Sequence, residues 1–106
     1  MARFDLYANP DIETRKLAPY LLDVQSAYVG ILPTRIVIPL RPARHLAFSG
    51  NPSDLLPVFE IHGEECFLDT PAMSAVPLKA LGKCIGSLSD RREAILAALE
   101  RIFGAY

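Results

Sequence analysis

His45 and His62 share the middle of the chain with Arg41, Arg44 and Glu60. Together these side chains are what a metal-free ribonuclease requires: a general base, a general acid and cations that stabilise a phosphorane. Nothing in their spacing makes them converge. His62 sits in the turn "HGE" and reads more simply as a solvent-facing turn residue, and His45 as a surface or interface residue. Cys66 and Cys84 are widely separated, and neither histidine makes a ligand spacing with them, so both read as small core hydrophobes and no metal is expected. A Gly-rich phosphate loop and a nucleophile elbow are likewise absent, so the expectation is no catalytic residue and no cofactor.

Charge gives a second, non-catalytic chemistry. No acidic side chain falls between Asp23 and Asp54, whereas Arg35, Arg41 and Arg44 do. That segment reads either as a basic patch for an acidic peptide or as a solvated strand edge. The acidic "EIHGEE" at 60–65, with Asp69, could face such a patch on another subunit. Eleven basic against twelve acidic residues leave a net charge of −1, without the positive field that draws nucleic acid, so any DNA contact is expected to be local or indirect. No charged leader precedes an apolar run and no apolar stretch approaches the roughly 18 residues of a membrane span, which predicts a cytoplasmic protein.

The elements that position these residues follow from proline and from periodicity. The chain has 106 residues, 51% of them apolar, which suits one domain over 1–106 with a real core. Nine prolines end at Pro77, which forbids long helices over the first three quarters and permits one at the end. Short β-branched or alternating runs predict strands: "RFDLY" at 3–7, "YLLDVQS" at 20–26, "RIVIPL" at 35–40, "PVFEI" at 57–61 and "ECFLD" at 65–69. Gly63 can take the positive φ of a tight hairpin between the last two. Polar stretches at 8–16 and 48–54 read as loops, and Gly82 and Gly86 as bulges or bends in a further extended piece. Strands therefore run from about 3 to 86.

Over 89–103, Ile95, Leu99, Ile102 and Phe103 recur at helical spacing and predict a helix packed on the sheet, with Leu96 beside that face. Ser89 or Asp90 is placed to cap it, and Asp90 with Glu93 has capping-box spacing. The expected fold is mainly β: a small barrel of curved antiparallel sheet, open or partly closed, with one C-terminal α-helix.

"LDVQS" at 22–26, "IVIPL" at 36–40, "MSAVP" at 73–77, "SLSDRRE" at 87–93 and the apolar helix ending in Phe103 stand in register over nearly the whole chain. Taken together, they resemble the CcdB toxin family of toxin–antitoxin systems. The resemblance implies a non-enzymatic homodimer of SH3-like barrels, each with a C-terminal helix, that binds the DNA gyrase A subunit and traps the enzyme on cleaved DNA. A CcdA-like antitoxin would neutralise it, and the pair would repress its own operon, reaching operator DNA only as a complex. Two alternatives stay open: a ribonuclease toxin of the related barrel class, and a module that binds antitoxin but has lost gyrase poisoning.

The resemblance also implies a site. The family's chain ends in Trp-Gly-Ile after a Phe that Phe103 matches, whereas this chain has Gly104, Ala105 and Tyr106. Arg92, Leu96 and Glu100 occupy the family's target-facing helix positions with different identities. A Trp anchor is a typical hot spot, worth about 2–4 kcal/mol on truncation, and Gly104 has no side chain to replace it. Gly104 suits a helix C-terminus, so Tyr106 either swings into the space of the missing indole or packs against a dimer partner.

Overall fold

Strict alternation of burial along Val58–Ile61, with Val58 and Glu60 outward and Phe59 and Ile61 inward, is the signature of a strand with one face on a core. The computed structural model describes residues 2–26, 31–46 and 53–104. Seven strands lie among them: β1 (Asp5–Ala8), β2 (Tyr20–Asp23), β3 (Thr34–Pro42), β4 (Val58–Ile61), β5 (Glu64–Leu68), β6 (Ser74–Pro77) and β7 (Cys84–Ser87). Helix α1 (Arg92–Phe103) follows.

All pairings are antiparallel, in the order β4-β5-β3-β2-β1-β7, with β6 paired to the first half of β3. The sheet curls into a half-barrel with α1 against its concave core, the expected small barrel with one terminal helix. β3 is the longest strand and is bonded along both edges. Val37 to Leu40 are buried in succession, so both faces of that stretch are covered, with Ile38 and Leu40 on the core side. Pro39 falls where β3 passes from β6, paired at Thr34–Val37, to β5, paired at Leu40–Pro42, so its missing N–H leaves no ladder position unfilled.

β4 and β5 meet in a two-residue turn in which His62 has φ 50° and Gly63 φ 81°, both positive as a type I′ hairpin requires. His62 is exposed, as expected, and its ring meets Tyr20 edge-on at 6.1 Å. Gly82 marks a close approach: a Cβ there would collide with the carbonyl oxygen of Ala8. Near Gly86 the β1–β7 register shifts between Leu6 and Tyr7, the bulge that the glycine-broken sequence predicts.

Several expectations need correction. Cys66 is fully buried, but Cys84 is exposed, because its edge position on β7 faces solvent. The start of α1 carries no side-chain cap: a 3₁₀ turn at Ser89–Arg91 precedes it, and Ser87 Oγ accepts the Ser89 N–H instead. On the helix, Ile95 and Ala98 are the residues fully buried, while Ile102 is 36% and Phe103 71% exposed, since the last turn runs past the edge of the core. The acid-free stretch forms no basic patch either. Arg35 is buried against Asp23, Arg41 pairs with Asp69 at 2.7 Å and Arg44 with Glu64 at 3.0 Å, so the "EIHGEE" acid and Asp69 neutralise these arginines within one chain.

Candidate functional site

The end of β2 is shaped by a charge that has no access to water. Asp23 and Arg35 are both buried and joined twice, Nε donating to Oδ2 at 2.7 Å and Nη2 to Oδ1 at 3.0 Å. A bidentate pair fixes direction as well as distance. Around it the chain after β2 is tied down at each residue. Gln25 N–H donates to Asp23 Oδ1 at 3.0 Å, and Gln25 Oε1 accepts Ile36 N–H at 3.0 Å. Val24 accepts from Arg3 Nε at 3.1 Å. The buried polar atoms here are satisfied, so Val24, Gln25 and Ser26 form a firm wall rather than a frayed strand end.

Helix α1 supplies the opposite wall. With Ile95 and Ala98 turned into the core, Leu96, Leu99, Glu100 and Phe103 fall along the flank that faces Val24–Ser26. Gly104, at φ 79°, ends the helix and donates to Glu100 O at 2.8 Å. Between the walls lies an open groove of about 570 Å³, floored by Ile36 and Met73 and flanked at one lip by Arg3. Its lining is mostly apolar, with Arg3, Gln25, Ser26 and Glu100 as polar groups. An apolar trough of this size with a few placed polar groups is a candidate binding site.

Four of the positions expected to face a partner are thus brought together: Leu96, Glu100, Phe103 and Gly104 line one groove. Arg92 does not line it; it stands one helical turn before Leu96, its guanidinium 6.0 Å from the ring of Phe4, the ring that the groove-lining Arg3 also covers. Ala105 and Tyr106 lie outside the described residues. The groove residues that helix spacing does not reveal are Arg3, Val24, Gln25, Ser26, Ile36 and Met73. Their signal was the short motifs: "LDVQS", "IVIPL" and "MSAVP" hold all but Arg3, and each motif contributes to the wall or floor.

The residues weighed for RNA cleavage are not gathered in this way. Glu60 and His62 border a second depression of about 260 Å³ between β4 and β7, with Asp90 and Arg91. Arg41 and Arg44 are occupied by Asp69 and Glu64, and His45 lines neither cavity. Among the described residues no three His, Cys, Asp or Glu side chains gather as metal ligands, and no helix is long and apolar enough to cross a membrane. Compared with models of known protein families, residues 3–104 match the one described as CcdB protein.

Proposed function

Since this chain belongs to the CcdB family, toxins of toxin–antitoxin systems of the gyrase-poisoning kind, we propose that it binds the DNA gyrase A subunit and traps the cleavage complex without catalysing a reaction itself. A CcdA-like antitoxin, in this reading, covers the same face and releases the target. The protein works as a homodimer in the cytoplasm and meets operator DNA only in complex with the antitoxin. One domain, 1–106, carries all of this.

The observation that carries the proposal is Phe103. It is 71% exposed at the lip of an apolar groove, although the helix that bears it has a core to pack into. An aromatic ring left in solvent beside an apolar trough has the attributes of an interface anchor. Exposed Ile31, Leu32 and Leu78 offer apolar surface for the second copy.

The test is expression in cells with normal or toxin-resistant gyrase. Growth arrest with DNA damage is expected only with the sensitive enzyme, and Phe103→Ser is expected to weaken it. Arrest that ignores the gyrase allele sinks the reading, as does RNA cleavage by the purified protein. Gly104 favours a second reading, in which the chain binds antitoxin but no longer poisons gyrase: it presents no side chain where the family has its indole. Antitoxin binding without growth arrest would single out that case.

A further inference from the structure

Phe4 is the most constrained residue beside the groove. Its φ is 73°, a region bulky L-residues avoid, yet its ring is buried. Two backbone bonds hold it there: Phe4 N–H donates to Asp23 O at 2.6 Å, and Phe4 O accepts Leu88 N–H at 2.8 Å. Strain of this kind persists only where the surroundings over-determine it. Here the clamp places one aromatic ring under two cations. The Arg3 guanidinium lies 5.0 Å from the ring centroid and that of Arg92 6.0 Å.

Ring contacts attract a cation, but they do not neutralise it, and two like charges over one ring repel. The carboxylates of Asp23, Asp69, Glu64 and Asp54 are taken by Arg35, Arg41, Arg44 and Arg101. Neither Arg3 nor Arg92 belongs to an ion pair among the described residues. Arg3 spends its Nε on Val24 O, which fixes the side chain and leaves its outer nitrogens at the lip of the groove.

Resting on the groove as the partner-binding face, we propose that Arg3 and Arg92 form its carboxylate-binding end. The segment it takes is then an apolar peptide with Asp or Glu at the end that meets the two guanidinium groups. A carboxylate there would gain charge-assisted bonds from planar donors and remove the repulsion between them. Nucleic acid fits less well: the net charge is −1 and the trough is apolar along most of its lining.

A displayed library of random dodecapeptides, selected on the purified full chain, tests this. Enriched peptides are expected to carry an acid beside apolar residues. Binding of an enriched peptide should fall about tenfold with Arg92→Gln and be retained in part with Arg92→Lys. High salt should erase the difference between wild type and Arg92→Gln. Arg92 is exposed, so the variant folds, and Arg3→Gln is read only if its circular dichroism matches the parent. Apolar enrichment without acids, lost with Phe103→Asp, overturns the proposal while leaving the groove as the binding face. Acid-bearing peptides indifferent to both arginine variants also overturn it. If no enriched peptide responds to Phe103→Asp, the groove itself fails and the proposal with it. A short DNA duplex whose binding drops with Arg92→Gln overturns it in favour of phosphate.

Discussion

Asp23 and Arg35 sit where water cannot reach either partner, so each depends on the other, and on the Gln25 backbone, for its hydrogen bonds. Arg35→Met or Asp23→Leu alone is expected to cost about 3–5 kcal/mol, because one charge is left buried and unanswered. The double substitution should recover most of that loss in urea melts, yet still weaken groove binding, since Gln25 loses the Asp23 acceptor that aligns it. Cys66 gives a pH signature. Burial first, and then the Glu64 carboxylate, push its thiol from 9.0 up to about 11. Below pH 9 both folded and unfolded thiols keep their protons and burial costs nothing extra. Above it the unfolded state deprotonates first, so stability falls as pH rises from 9 to 11, on the order of 2 kcal/mol. Burial also raises the Tyr7 and Tyr20 hydroxyls above 10.0, which extends the loss upward. Urea midpoints taken on either side of that window check the fall, and Cys66→Ala should flatten its lower half. The burial of Cys66 was legible as a core thiol, but the Asp23–Arg35 pair was not. Arg35 looked like surface charge because its acid lies twelve positions away on another strand, and the positive φ of Phe4 leaves no mark on a sequence without glycine there.

Elements were far more legible, because their periods are local. β4 alternates cleanly, the His62-Gly63 pair turns as a hairpin should, and the final apolar stripe makes a helix. What the stripe could not tell was how far the core extends along α1. Ile95 touches it on all sides, whereas Ile102 and Phe103 run beyond its rim. Ile95→Ala should therefore cost about 2–5 kcal/mol. Phe103→Ser should stay within about 0.5 kcal/mol of the parent by thermal melting while reducing partner binding. If the two variants destabilise equally, Phe103 is a packing residue and not an anchor. The missing cap has a local cause: Asp90 has the right type and spacing, but it lies inside the 3₁₀ turn Ser89–Arg91, so Arg91 rather than Asp90 holds the N-cap position.

At the scale of the molecule, the half-barrel hangs from β3. It bonds β2 along one edge and both β5 and β6 along the other, so no opening that spares the core can release it. The amides of Val37, Ile38 and Leu40 are expected to exchange with deuterium only through global unfolding, and those of β7, paired on one side to β1, well before. Equal protection of the two strands would contradict this hierarchy. The groove, by contrast, is assembled from the extremes of the chain: Arg3 stands at one lip and Leu96 to Gly104 at the other. During synthesis its first residue emerges from the ribosome long before its last is joined. A nascent or prematurely terminated chain can carry every strand and still have no groove. The groove would thus come into being only once Leu96 to Gly104 have joined the strands, with the order of synthesis as the timer.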